Sequence, residues 1–99
     1  MKISMRQTGG YAGLDSTKTV DTNQLNSEAG ASLRSLVEKS NLFNRVAGAE
    51  RSFAGADLVH YEITVSEGER EHTVAFDDDG SDELVDLRQL AHMVIRNAQ

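Results

Sequence analysis

Residues 59 to 76 constrain this chain more than any other stretch. Val59, Tyr61, Ile63 and Val65 alternate with polar residues, and His72, Val74 and Phe76 alternate again after a gap holding Glu67-Gly68. A period of two places each set on one face of a half-buried strand. A Glu67-Gly68 turn predicts a tight hairpin in which Val59 opposes Phe76, Tyr61 opposes Val74 and Ile63 opposes His72. Every apolar residue then falls on the same face, so pattern and turn agree. A one-sided hairpin of this kind cannot stand alone, because its apolar face must be covered.

The rest of the chain supplies the cover. Ile3 and Met5 alternate with Lys2, Ser4 and Arg6, which predicts a first strand over 2–7. Gly9-Gly10-Tyr11-Ala12-Gly13 interrupts it, and Thr17 to Asp21 reads as a short β-branched return strand. A helix is predicted next, with Asn26 or Ser27 as N-cap and Glu28 in the first turn. Its stripe is Ala29, Leu33, Leu36, Val37 and Ser40, closed by Phe43, and it ends near Asn41. Gly30 counts against it by up to about 1 kcal/mol relative to alanine. Residues 44–57 have no period and read as a long loop. A last helix is predicted from an N-cap at Ser81, with Asp82 and Glu83 in its first turn and Leu84, Leu87, Leu90, Ala91, Met93, Val94 and Ile95 as its apolar side.

The element order is therefore ββα-loop-ββα. The expected fold is α+β and two-layered: a four-stranded antiparallel sheet with two helices on one face, as a single domain over 1–99. At 99 residues the chain is long enough for one core without staples. It has no cysteine, which removes disulfides, thiolate metal sites and thiol nucleophiles. A net charge of -6 argues against nucleic acid as a partner. No apolar stretch approaches the length of a membrane span, and no apolar core follows the N-terminal charges as in a secretory signal. The expectation is a cytoplasmic protein, monomeric when free, with no membrane contact.

Catalytic and metal constellations are missing from the pattern. The three histidines have no metal-ligand spacing, and the predicted register puts His60 and His72 on opposite faces. Asp77-Asp78-Asp79-Gly80 lacks the leading acid of a calcium loop and reads as a charged turn before a helix, with a partner contact as the alternative. No Gly-x-Ser-x-Gly motif is present, and no cofactor is expected. The chain is read as a non-enzyme. What remains is the hairpin tip. Tyr11 and Leu14 are apolar residues at a predicted exposed turn, flanked by glycines, and read equally well as a recognition anchor or a plain flexible tip.

The first strand, Thr8-Gly9-Gly10-Tyr11-Ala12-Gly13 and the strand ending in Val20-Asp21 resemble the start of emfourin, a protein inhibitor of thermolysin-like zinc metallopeptidases, the protealysin type among them. The likeness continues through Leu33-Arg34-Ser35-Leu36-Val37-Glu38, Leu42-Phe43, Tyr61-Glu62-Ile63-Thr64-Val65, His72-Thr73-Val74, Asp77-Asp78 and the closing helix. Where that family carries prolines before its helices, this chain has Asn26-Ser27 and Gly80-Ser81. The resemblance implies a thermolysin-like zinc metallopeptidase as partner, blocked at its active-site cleft through the glycine-rich loop. The implied contacts are Gly9, Gly10, Tyr11, Ala12, Gly13, Leu14 and Asp15, with Phe53, Asp77 and Asp78 as secondary contacts. Such enzymes accept bulky apolar side chains into a pocket beside the zinc. Tyr11 and Leu14 would suit that pocket, and Asp15 would meet the zinc or a cationic group of the cleft. A non-inhibitory interaction module using the same loop is the alternative.

Overall fold

A computed structural model describes residues 1–9, 14–45, 48–49, 59–78 and 82–98. Strands β1 (Lys2–Gly9) and β2 (Leu14–Asp21) form a hairpin, followed by helix α1 (Ser27–Lys39) and a 3-10 turn at Leu42–Asn44. A two-residue strand β3 (Gly48–Ala49), strands β4 (Val59–Glu67) and β5 (Arg70–Asp77), a 3-10 turn at Asp82–Leu84 and helix α2 (Val85–Asn97) complete the order. The sheet runs β2-β1-β4-β5-β3. Its four long strands are antiparallel, as expected. The short β3 is an addition within the expected loop, and it pairs in parallel with β5 at Val74 and Ala75.

Alternation decides which face is buried. Ile3 and Met5 of β1 oppose Val65 and Ile63 of β4, and Ile63 opposes Val74 of β5. These residues join one core with Leu33 and Val37 of α1 and Leu87, Leu90, Ala91 and Val94 of α2. Both helices therefore cover the same face of the sheet. The other face carries hydroxyls and charges: Ser4 bonds Thr19 at 3.2 Å and Thr64 bonds Thr73 at 2.8 Å.

The second hairpin corrects the expected register by two residues. Tyr61 opposes Phe76, Ile63 opposes Val74 and Val65 opposes His72, so the turn is Gly68-Glu69. The reason is the glycine's conformation. Gly68 has φ +60° while Glu69 has no positive φ. That combination belongs to a turn with glycine first of its two central residues. A two-residue shift preserves every facing, which is why the predicted core survives it.

The helix ends and one helical glycine add local detail. Asn26 is the N-cap of α1, its side-chain oxygen accepting the Ala29 N–H at 2.8 Å. After the helix, Asn41 adopts φ 58° and turns the chain. Leu42 is then fully buried, while Phe43 is only partly buried, beneath the Arg70 guanidinium at 4.2 Å. The expected Ser81 cap lies outside the described residues, and α2 is entered through the 3-10 turn. Finally, Gly30 is buried, and a Cβ there would meet the Thr22 backbone oxygen at 2.8 Å. It is a point of close approach between the helix and the turn that follows β2, rather than a defect of the helix.

Candidate functional site

The hairpin tip springs from a fully paired base. Gly9 opposes Leu14 on β2 and Val59 on β4. Its φ of 89° lies in the region that favours glycine. Of the loop residues expected to meet a partner, Gly10, Tyr11, Ala12 and Gly13 lie outside the described residues, as does Phe53. Gly9, Leu14, Asp15, Asp77 and Asp78 lie within them.

Strand direction gathers these positions. β1 runs toward the tip and β4 starts beside it at Val59, while β5 runs the same way as β1 and ends at Asp77. β3 is parallel to β5 and opposes it at Val74 and Ala75, so residue 49 also heads toward that end. β1 and β5 therefore end, and β2 and β4 begin, at one end of the sheet. In register, Asp15, Thr8, His60 and Asp77 form a single row across four strands on the face away from the helices. With strands about 4.8 Å apart, Thr8 and Asp77 are separated by roughly 10 Å.

The acids in this region have partners of their own. Asp15 receives both Arg6 Nε and Nη2 at 3.3 Å, and both side chains are more than half exposed. The carboxylate raises the Arg6 pKa, through the hydrogen bond first and its charge second. Asp77 Oδ1 lies 2.7 Å from His60 Nδ1, and Glu62 lies 3.7 Å from the other ring nitrogen. The Asp78 N–H donates to the Val59 carbonyl at 2.9 Å, and its carboxylate lies 3.6 Å from Arg88 of α2. Asp77 and Asp78 thus tie the end of β5 to β4 and to α2.

Beneath the tip, on the core side, Gln7 Nε2 donates to the Tyr61 hydroxyl at 3.2 Å. The Tyr61 ring stacks on Phe76 at 5.2 Å between centroids. Burial pushes the Tyr61 phenol up; the Gln7 hydrogen bond opposes this, and the negative charge of Asp78 adds to it. His60, Gln7, Tyr61 and Arg88 support the candidate site without having been expected there. The signal for His60 was its parity on β4, opposite to Tyr61 and shared with Glu62. The partner of Arg88 depends on how α2 docks and leaves no mark in the pattern.

Chemically, the described region is a scaffold. His60 stands between two carboxylates, with no hydroxyl or thiol on either ring nitrogen among its described contacts. His72 faces the core side, its Nε2 2.7 Å from the Arg45 carbonyl oxygen. Among the described residues, no group of three or more histidines and acids is placed to hold a metal ion. No helix among them is long and apolar enough to cross a membrane. What the arrangement offers is a hairpin whose residues 9 and 14 are held in register at the same end of the sheet as Val59 and Asp77. Such a geometry suits recognition.

The family model described as Emfourin matches residues 5–92. The match takes in the tip, most of β1, all of β2, the acidic turn and most of α2. No curated protein matches the chain, and no solved structure does.

Proposed function

The chain belongs to the emfourin family, and on that premise we propose that it inhibits thermolysin-like zinc metallopeptidases, the protealysin type among them, by forming a stoichiometric complex at the active-site cleft. The observation that carries this reading is the family match over residues 5–92, which includes the whole glycine-rich tip. The fold gives it a physical basis. A loop whose ends Gly9 and Leu14 are paired, with Gly9 paired also to Val59 of β4, loses less conformational freedom on binding than a free peptide.

In this mechanism Tyr11 and Leu14 fill the apolar pocket beside the enzyme's zinc, the burial that typically dominates a protein interface. Gly9, Gly10, Ala12 and Gly13 have little or no side chain and let the loop's backbone lie close to the cleft wall. Asp15 exchanges Arg6 for a cationic group or the zinc of the enzyme. Its present ion pair is solvent-exposed, so the exchange costs little. Phe53, Asp77 and Asp78 contribute at the margin. The inhibitor has no catalytic group in this scheme and no cofactor.

Titration of a thermolysin-like peptidase, with a small peptide substrate, tests the proposal. Activity should fall to zero at one inhibitor per enzyme, and excess zinc should leave the curve unchanged. Undiminished activity at saturation would leave a binding module without inhibition. Recovery on adding zinc would mean chelation instead of a surface-to-cleft complex.

A further inference from the structure

We infer that the outer edge of β2 pairs strand-to-strand with an extended backbone segment of the peptidase. The inference rests on the inhibitory reading and deepens it, extending the contact from the loop to the strand that leaves it. β2 is the terminal strand of the described sheet, and only β1 pairs with it. The opposite edge differs, because β3 meets β5 at Val74 and Ala75.

The edge of β2 is complete. Its register with β1 advances one residue at a time from Gly9↔Leu14 to Lys2↔Asp21, without a bulge. In an antiparallel strand every second residue turns its N–H and C=O away from its neighbour. The chain has no proline, so no donor is missing from that outward row. On the face away from the helices the flanking residues Asp15, Thr17 and Thr19 are short and exposed; the one long side chain near the middle, Lys18, shares the helix-facing parity of Val20. Unpaired edges of this length are templates for another strand unless they are bent, shortened or covered. Strand addition of this kind takes its affinity from the main chain.

Continuity selects the occupant. Leu14 and Asp15 belong both to the proposed contact loop and to the first two rungs of this edge. A peptidase that grips the loop already lies beside β2, and its nearest extended segment meets a prepared row of donors and acceptors. A second copy of the chain has no such prior contact.

Amide hydrogen exchange over Leu14 to Asp21, free and with a saturating thermolysin-like peptidase, is the test. In the free protein every second amide should exchange fast; in the complex these amides should slow by tenfold or more. Thr17→Pro and Lys18→Pro form an internal control, since proline is tolerated only where the N–H points outward. One variant should keep the wild-type melting temperature and inhibit at least tenfold more weakly. The other should lose a ladder bond and melt earlier. Stoichiometric inhibition with unchanged β2 exchange overturns the inference while the inhibitory reading stands, as does an outward proline that inhibits normally. Concentration-dependent protection in the free protein assigns the edge to a second copy and also overturns it. A peptidase that neither binds nor is inhibited refutes the inhibitory reading, and the strand pairing falls with it.

Discussion

The backbone carbonyl of Thr22 stands 2.8 Å from where a side chain on Gly30 would begin. Thr22 cannot retreat easily. Its N–H and hydroxyl both donate to the Met1 carbonyl, at 2.9 Å and 3.2 Å, and it is buried. Helix α1 is thus seated against the end of β2 at a distance that only glycine permits. Gly30→Ala should destabilise the fold by roughly 1–3 kcal/mol, the usual cost of overpacking a core. Helix propensity alone points the other way, by up to about 1 kcal/mol. Denaturant unfolding of the variant decides between them: a gain in stability would mean the helix shifts freely.

The two faces of the second hairpin should respond differently to truncation. Ile63 and Val74 oppose each other on the core side, with Ile63 fully buried. Ile63→Ala or Val74→Ala should cost roughly 2–4 kcal/mol. Thr64 and Thr73, paired on the other face, should each cost under about 1 kcal/mol as alanine. Equal losses on both faces, read from unfolding midpoints, would contradict a one-sided core.

Tyr61 sets an alkaline limit to stability. Its folded pKa is raised, chiefly by burial. A raised value means the neutral phenol is favoured in the folded state. Its stabilising effect is complete below the unfolded value of about 10 and is lost as pH rises through the folded value. Melting temperature should therefore fall above about pH 10 in the wild type. In Tyr61→Phe that fall should be shallower, even though the Gln7 hydrogen bond is gone. A wild-type alkaline slope in the variant would assign the titration elsewhere.

Contacts with the peptidase should be separable from the fold. Tyr11→Ala and Leu14→Ala should each weaken inhibition about thirtyfold or more, the effect of truncating a central anchor worth about 2 kcal/mol. Thermal unfolding should stay close to wild type. Gly10→Val should weaken inhibition as well, if that position needs a positive φ. Arg96→Ala, on an exposed position of α2, should change neither property. Normal inhibition by the tip variants, with loss on changing Phe53 or Asp77 and Asp78, would move the working surface to the middle segment or the acidic turn.

Local pattern determined most of the architecture. Alternation in Ile3-x-Met5, Tyr61-x-Ile63-x-Val65 and Val74-x-Phe76 fixed which side of each strand is buried, because a side-chain period of two leaves no other choice. The helical stripes fixed what covers that side, and the run Gly9 to Gly13 marked the tip. Emfourin membership was also legible there, since the residues that carry it are sequence motifs. What the pattern could not fix were distances between segments far apart in the chain. The turn at Gly68 moved by one residue because a glycine's place in a turn depends on its φ, not its identity. Gly30 read as a weak helix position until α1 was seen lying on Thr22. Tertiary structure alone decided that β1 and β4 are the central strands, that β2 is left as an edge, and that Asp15 and Asp77 share a row. Those facts follow from how two hairpins join, and joining is set by the shared core under both helices rather than by either hairpin's own sequence.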